Sequence, residues 1–554
     1  MPESQASQQF NGLLQQYYRV WFRYHPEQAV HVGIGGYEEK LRAYDNDDIG
    51  ALIALNEKLL FSLDEMDFSA LSADQQIDYS ILYNAASREL QEILTQDWRY
   101  RCPQAYLPVE AIHQLLSRPV ENMHKAVKHR LQQIPEYLRG ARANLSDHPE
   151  RIPSSWCDSA IKEAQAGSVY IRNLPRHPVL MQQFNNPTRM QPVCDEAATA
   201  LDEYAHFLHQ DLLPRCSGDF AVGEDYFNSL LNESHFLGIN AVDLYQFGER
   251  LFKETQAELD AMLESDFHGR SREEVMGAIR EDYPAGGEDA LLNAYRRQMK
   301  SAYEFIKQAD LVTVPEKQAL KVMSTPTFMR HEIPFAAYDE PTYKDPEQRG
   351  YYYVTPVLSE GQKLEHNYTS IGITCVHEAF PGHHLQFVTA NQNPSNSLPR
   401  MLNASSTLYE GWALYCEELM QEQGFLPEPE HRFMMLRDRL WRAMRVMLDV
   451  ELHSRGLSVD EAAQRMCRQL GFDIDQAKAD LSWYTQAPTL PMGYAVGWAL
   501  IKALREIESQ KDGFNLKGFH DQLLSVGSCA LPLVIKRAFG EASWQQCKQK
   551  VFEI

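Results

Sequence analysis

The sequence predicts a mainly α fold made of two helical lobes with a small β element. Three observations support this prediction. Apolar residues recur at helical spacing through most of the chain. A stretch near residues 325–374 is instead punctuated by proline and rich in aromatic and β-branched residues, which is typical of a small sheet. The chain has 554 residues, too many for one simple core. We expect lobes at roughly 1–235 and 236–554.

The elements follow in order along the chain. The first helix is predicted over residues 11–25, because Pro26 stops it. Pro135 is expected to kink or divide the next clear helix. Glycines mark the ends of two later helices, since glycine often follows a helix C-terminus. The predicted helices after the first are residues 120–145, 239–263, 286–309, 370–380, 406–424 and 430–456, and a last one that follows a proline-rich loop near residue 490.

Charge and composition limit the partners that we expect. The formal net charge is -23 and no basic stripe is present, which argues against nucleic-acid binding. No run approaches the ~18 apolar residues of a membrane span, and the first residues have no apolar leader. The nine cysteines form no C-x-x-C pair, which favours reduced thiols. We therefore predict a cytoplasmic protein without a membrane partner; the oligomeric state stays open.

One motif departs from a known metal-binding pattern in an informative way. In H-E-x-x-H, two histidines one helical turn apart bind zinc, and the glutamate beside the first acts as a base. Here His377 and Glu378 are followed by two extra residues, Pro381 and Gly382, before a pair of histidines. On a regular helix His384 would lie ~10.5 Å from His377, too far to share a metal. Pro381 must open that helix, and a widened turn would bring His383 into the second ligand position.

The next predicted helix offers a third ligand and a residue that could orient a ligand. Glu410 comes 27 residues after His383 and is the candidate third ligand; Gly411 beside it permits a close helix approach. Glu417, two turns further along the same face, could orient a ligand. His384 is the alternative to His383, or a group that contacts the metal ligands or the substrate. A histidine–glutamate pair alone is more often ordinary surface chemistry, so the prediction rests on the conjunction of these features.

The chain resembles the bacterial DUF885 family over nearly its whole length, as a single bilobal unit of residues 1–554. The resemblance is carried by H-E-x-x-P-G-H-H at residues 377–384, E-G-W-A-x-Y at 410–415, R-x-x-R-x-x-x-D-x-x-x-H at 442–453, G-Y-A-V-G-W at 493–498 and a closing block at 514–534. That family is grouped by likeness with gluzincin-type zinc metallopeptidases. The resemblance implies an elongated metallopeptidase-like fold with a central substrate cleft and the β element next to the active-site helix. It also implies one zinc ion per chain, bound by His377, His383 and Glu410, with Glu378 as general base.

Four residues depart from the family pattern. Trp483 stands where arginine is expected, and Thr489 and Leu490 stand where glycine and glutamine are expected. Glu451 occupies a position where glycine is usual. The metal motif is intact, so these changes concern the anchoring of a substrate.

Further site residues are expected around this centre. Tyr494 is the first candidate to stabilise an oxyanion. Arg445, Asp449 and His453 are spaced by four and share one helix stripe. We expect His453 to donate to the oxyanion or to a substrate carboxylate, with Asp449 orienting it, and Arg445 to bind a peptide C-terminus. The alternative for this stripe is surface ion pairing.

The sequence thus predicts a zinc-dependent hydrolase, a carboxypeptidase or dipeptidase-like enzyme that cleaves short peptides. Two alternatives stay open: a metal-dependent hydrolase of another amide or an ester, and a non-catalytic binding protein stabilised by zinc. Glu378 weakens the second alternative, because a structural zinc site needs no base and is usually closed by four protein ligands.

Overall fold

The computed structural model describes residues 4–183, 187–330, 333, 335–357, 363 and 365–554. The prediction of a mainly α fold with a small sheet is confirmed. The chain divides into two compact units. The first contains residues 1–220, 326–331 and 342–346, and the second contains 221–325, 332–341 and 347–554. Within the described ranges, no helix combines the length and the apolar character needed to cross a bilayer.

The first unit is helical and has its own apolar core. Pro135 was predicted to kink or divide its helix, and it does not divide it: the helix continues through Pro135, with Leu131, Ile134 and Leu138 on either side buried in that core. The helices of this unit are α1 Gln5–Trp21, α2 Pro26–His31, α3 Asn46–Asp64, α4 Ala73–Thr95, α5 Val109–Ser117, α6 Met123–Asp147, α7 Ser154–Asn173, α8 Pro178–Gln183 and α9 Gln191–Phe207.

The second unit contains the sheet and the remaining described helices, including every residue of the predicted site. The strands are β1 Ala319–Ser324, β2 Ala336–Asp339 and β3 Arg349–Val354. The helices are α10 Glu224–Ser229, α11 Ala241–Ser265, α12 Arg272–Glu281, α13 Gly287–Gln308, α14 Tyr368–Glu378, α15 His383–Gln392, α16 Leu398–Leu402, α17 Ser406–Glu422, α18 Pro429–Ser454, α19 Val459–Leu470, α20 Ile474–Tyr484, α21 Gly493–Glu508, α22 Leu516–Leu524, α23 Leu531–Phe539 and α24 Glu541–Phe552.

The sheet has the order β1-β3-β2, with β3 parallel to β1 and antiparallel to β2. Tyr352 in β3 lies opposite Val322 on one side and Tyr338 on the other, and it is fully buried. The Tyr338 hydroxyl reaches α15, where it lies 3.0 Å from Nδ1 of His384. The sheet therefore packs beside the helix that begins with the paired histidines.

Two glycines allow α17 and α21 to cross at backbone contact. A Cβ atom on Gly411 would lie 2.4 Å from the Cα of Gly497, and one on Gly497 would lie 2.0 Å from the carbonyl oxygen of Thr407. No side chain fits at either position. Glu410 and Tyr494 are close to this crossing in the sequence, so the crossing fixes how these two predicted site residues meet.

Helix α18 is buried on most of its circumference, as expected for a helix that is apolar on several faces. It packs against α11 on one side and contacts α14 and α21 on others. Arg445, Asp449 and His453 are among its buried residues, with 5%, 0% and 0% of their surface exposed. The stripe that they form is therefore not a surface ion-pair network.

Candidate metal centre

The Pro-Gly insertion separates two helices and does not widen one continuous helix as predicted. Helix α14 ends at Glu378, and the amides of Ala379 and Phe380 both bond to the carbonyl oxygen of Cys375. The Phe380–Pro381 peptide bond is cis. A Cβ atom on Gly382 would lie 1.8 Å from the carbonyl oxygen of His377, so only glycine fits in this tight turn.

Helix α17 holds this turn in place. The indole N–H of Trp412 donates to the carbonyl oxygen of Pro381 at 2.8 Å, and Trp412 is fully buried. Because α15 starts directly after the turn, His383 is the first residue of a new helix. Glu410 lies two residues before Trp412 on the same helix, so the turn and the third candidate ligand are fixed to each other.

His377, His383 and Glu410, which we call the metal triad, meet at one point. Glu410 Oε2 lies 3.4 Å from Nε2 of His377 and 3.3 Å from Nε2 of His383. All three candidate ligand atoms lie within 4.8 Å of one another. Two ligand atoms on a tetrahedral zinc, each ~2.0–2.1 Å from the metal, are roughly 3.3 Å apart. The spacing and the donor types therefore fit a zinc ion.

His377 is oriented by a second carboxylate. Its Nδ1 lies 2.7 Å from Oε1 of Glu417, which leaves Nε2 directed at Glu410. Burial alone would lower the pKa of His377, but the hydrogen bonds with Glu410 and Glu417 outweigh burial and raise it to about 10. A histidine that donates its second ring nitrogen to a carboxylate is typical of metal ligands, because that bond fixes the ring.

The carboxylate of Glu410 lies between the two imidazoles of the triad. The other ring nitrogen of His383, Nδ1, is buried and has no hydrogen-bond partner among the described residues. Burial would raise the pKa of Glu410, but the neighbouring imidazoles of His383 and His377 hold it well below its usual range. A carboxylate that stays ionised between two imidazoles is a suitable ligand for a metal cation.

Glu378 lies beside the triad as a separate carboxylate. Its Oε2 is 3.9 Å from Nε2 of His383, beyond hydrogen-bond distance, and 17% of its side chain is exposed. Burial raises its pKa above the usual value, although His383 and His377 oppose this shift. The position suits a group that exchanges a proton next to a metal without binding the metal itself.

Tyr494 covers one side of the triad. Its ring stacks on that of His377, with centroids 6.3 Å apart and 16° between the planes. Burial, followed by the negative charge of Glu410, raises the pKa of Tyr494, so the hydroxyl keeps its proton. The structure therefore brings Tyr494 next to the triad as a hydrogen-bond donor.

His384 faces away from the triad. Its Nδ1 lies 3.0 Å from the hydroxyl of Tyr338, and its Nε2 lies 3.0 Å from Oε1 of Gln318. Burial lowers its pKa to about 3, so the ring is neutral. With both nitrogens bonded inside the protein, His384 has no atom left for a metal, and the substrate contact predicted for it gains no support.

Arg445 is bonded to protein groups. Its Nη2 lies 3.1 Å from a carboxylate oxygen of Asp480, and its Nε donates to the hydroxyl of Tyr484 at 2.5 Å. Asp480 also accepts from the indole N–H groups of Trp441 and Trp483. Asp480 was missed by the sequence reasoning, because nothing local marks it as the partner of an arginine 35 residues earlier.

Asp449 and His453 are bonded to the backbone. Asp449 accepts from the amide of Thr489 at 3.0 and 3.2 Å, and burial raises its pKa well above the usual value. Nε2 of His453 donates to the carbonyl oxygen of Tyr484 at 2.9 Å. These contacts hold the segment between α20 and α21 against α18. They do not bring His453 to the triad, where it was predicted to donate to an oxyanion.

Three of the four departures from the family pattern have visible contacts. Thr489 has a φ of +66°, a left-handed conformation that glycine adopts without strain, and its hydroxyl lies 3.0 Å from Nε2 of His235. The Trp483 indole is bonded to Asp480, as described above. Glu451 pairs with Arg465 at 2.5 Å. Nothing in the structure explains Leu490.

The fold and the triad define a helical protein with a candidate metal centre. The chain belongs to the DUF885 family, described as bacterial proteins of unknown function, whose profile matches residues 26–537. Comparison with curated proteins gives no match.

Two solved structures share this fold. One is a putative lipoprotein of unknown function from Shewanella oneidensis, which is 22% identical with a TM-score of 0.75; the match covers 95% of this chain and 98% of that one. The other is a putative lipoprotein from Colwellia psychrerythraea, which is 18% identical with a TM-score of 0.79; the match covers 96% and 98% of the two chains.

The prediction of a cytoplasmic location is wrong in the light of these structures, because both are described as lipoproteins. The prediction depended on the lack of an apolar leader or membrane span in the sequence and on the cysteines, and the packing of the thiols weakens the argument from the cysteines. Six of the nine free thiols are buried, and the other three are half-buried. A buried thiol is protected from oxidation by its surroundings, so the absence of disulfides does not identify a reducing compartment.

Proposed function

We propose that the protein is a zinc-dependent hydrolase that cleaves short peptides. The observation that carries the proposal is the metal triad, together with a carboxylate, Glu378, that lies beside the triad without being one of its ligands. A purely structural zinc site has no use for such a group. The kinship with gluzincin-type peptidases that the motif suggests is part of the proposal.

We assign a separate role to each residue of the site. His377, His383 and Glu410 would hold one zinc ion, and Glu417 keeps the His377 ring in position through Nδ1. Zinc, when bound, supplies a Lewis acid that acidifies water and polarises a carbonyl oxygen. Glu378 accepts a proton from the attacking water at its carboxylate and delivers it to the leaving amine.

Tyr494 stabilises the negative charge that develops on the substrate. Its protonated hydroxyl donates a hydrogen bond to the substrate carbonyl oxygen as negative charge develops there. The ring stack with His377 and the nearby Gly411–Gly497 crossing fix its direction, which such a donor needs in order to favour the transition state.

The two alternatives predict different outcomes. A hydrolase of another amide or an ester would use the same residues, so only substrates distinguish it from a peptidase. A zinc-stabilised binding protein would need a fourth protein ligand. Among the described residues, the candidate cluster contains three ligands and no cysteine, which favours a site with an open position.

The first experiment measures metal content. Purified protein and the variants His377→Ala, His383→Ala, His384→Ala and Glu410→Ala are analysed for zinc after zinc loading and desalting. We expect about one zinc per chain in the wild type and in His384→Ala, and loss in the other three. Folded wild-type protein that binds no zinc would refute the proposal.

The second experiment measures hydrolysis. Zinc-loaded protein is incubated with a tripeptide, an N-acyl amino acid and an ester of matched size, in parallel with Glu378→Gln. We expect turnover of the peptide, reduced by ~10²–10⁴-fold in Glu378→Gln with zinc retained. Faster turnover of the ester or the N-acyl amino acid would favour the first alternative. Full zinc content without any turnover would favour the second.

A further inference from the structure

A second arginine on α18 differs from Arg445 in its contacts. Arg442 lies one turn earlier, with its guanidinium carbon 4.5 Å from the Trp441 ring centroid and 5.5 Å from that of Tyr494. Its Nε and Nη1 atoms are buried and have no hydrogen-bond partner within the described ranges. Arg445, by contrast, is bonded to Asp480 and Tyr484.

The Arg442 guanidinium thus has buried N–H groups without acceptors among the described residues. Leaving such donors without acceptors costs free energy, and a ligand that supplies acceptors recovers it. Arginine is suited to carboxylates, since its planar fork forms two parallel hydrogen bonds to the two oxygens. Burial of part of the group also weakens competition from water.

The position of Arg442 relates it to the metal triad. Tyr494 contacts both: its ring is stacked on that of His377, with centroids 6.3 Å apart, and its centroid lies 5.5 Å from the Arg442 guanidinium carbon. The two contacts place the Arg442 guanidinium at most ~12 Å from the His377 ring. An extended peptide advances ~3.3–3.6 Å per residue, so about three residues or fewer cover this distance. A substrate carbonyl at the triad could thus place a carboxylate a short distance downstream at Arg442.

We propose that Arg442, not Arg445, binds the free C-terminal carboxylate of a short peptide. This inference rests on the proposed hydrolase function and makes it more specific. The enzyme would select substrates by their C-terminal charge and cleave a peptide bond within about three residues of the C-terminus. Arg442 is a specificity residue and takes no part in bond breaking. Binding of the peptide C-terminus, which was predicted for Arg445, is thereby assigned to the arginine three residues earlier on the same helix.

The test uses binding, so that it does not depend on turnover. Calorimetry measures the affinity of one tripeptide, with a free carboxylate or a C-terminal amide, for zinc-free wild type, Arg442→Met and Arg442→Lys. The matched control is Arg432→Met on the same helix, since Arg432 is paired with Glu258 and Glu418. Circular dichroism checks that each variant is folded.

We expect the wild type and Arg432→Met to bind the free acid about tenfold or more tightly than the amide. Arg442→Met should bind the two peptides equally, and Arg442→Lys should keep part of the preference because it retains the charge but not the fork. A preference that survives in Arg442→Met, or a wild type without any preference, would overturn the inference. If the protein hydrolyses peptides but shows no such preference, the proposed hydrolase function holds and the role of Arg442 does not. If it shows the preference but no hydrolysis, carboxylate binding by Arg442 holds and the hydrolase function does not.

Discussion

The metal triad and the stripe of Arg445, Asp449 and His453 lie in the same unit, and both consist of buried ionisable side chains. They differ in their partners. Every member of the stripe is bonded to a protein group: Asp480, the Thr489 amide or the Tyr484 carbonyl. The members of the triad instead face one another, and one candidate ligand atom from each lies within 4.8 Å of the other two. The difference shows that burial of charge alone does not identify a functional site. Ligand atoms from separate segments that converge on one point are the better criterion.

The largest expected effect tests whether the stripe is structural. Arg445→Met would leave the carboxylate of Asp480, whose side chain is 10% exposed, without its ion-pair partner. We expect the free energy of unfolding to fall by about 3–5 kcal/mol, measured by urea denaturation, with zinc content unchanged under native conditions. The matched control is Arg442→Met, which removes no ion pair of the described residues and should change stability by less than about 1 kcal/mol. Equal losses in both variants would remove the distinction between the two arginines.

The next experiment asks whether the triad is completed by a ligand. Adding zinc to the metal-free protein at 100 times its Kd should stabilise the folded state by ~2.7 kcal/mol, seen as a rise in Tm. Arg445→Met should start from a lower Tm and still respond, because the stripe does not bind the metal. His383→Ala should not respond, whereas His384→Ala should. An equal rise in His383→Ala would place the zinc elsewhere.

A smaller effect is expected at the carboxylate that supports the triad. Glu417→Gln keeps the size of the side chain but removes the negative charge that faces His377 Nδ1. We expect zinc affinity to fall by ~10–100-fold, measured by competition with a chelator of known affinity. Glu418→Gln is the neighbouring control, since Glu418 bonds instead to Trp498 and Lys502. Unchanged affinity in Glu417→Gln would show that the histidine needs no such support.

The last prediction concerns the helix crossing beside Glu410. Gly411→Ala forces a methyl group against the backbone of α21, so we expect a loss of ~1–3 kcal/mol in stability together with weaker zinc binding. Gly277→Ala is the control, because nothing lies within 4 Å of the added carbon in α12. There alanine should stabilise the helix by ~0.5–1 kcal/mol. A neutral Gly411→Ala would mean that α17 and α21 can separate without harm.

Local patterns in the sequence were sufficient for most helices. The helix predicted over 239–263 is observed as Ala241–Ser265, and that over 286–309 as Gly287–Gln308. Strands were predicted from residue 325 onward, but β1 begins at Ala319 and pairs in parallel with β3. Parallel pairing joins distant segments, and short-range composition does not encode it.

The candidate centre was predictable in its members but not in its geometry. The motif places His377, Glu378, His383 and Glu410 in one neighbourhood, yet spacing alone could not choose between His383 and His384. That choice depends on the turn at Gly382, where a side chain would meet the backbone of His377. The partners of Arg445 and His453 could not be predicted from the sequence, because they lie on a different segment whose position is set by tertiary packing.

The Gly411–Gly497 crossing has a consequence for how the chain tolerates changes in length. Glu410 precedes one glycine by one residue, and Tyr494 precedes the other by three. Inserting or deleting a single residue between Tyr494 and Gly497 would turn the tyrosine by about 100° around the helix axis and away from His377. Relatives of this protein that keep the arrangement therefore cannot differ in length across these short intervals. An alignment gap there would mark a chain that has lost the arrangement.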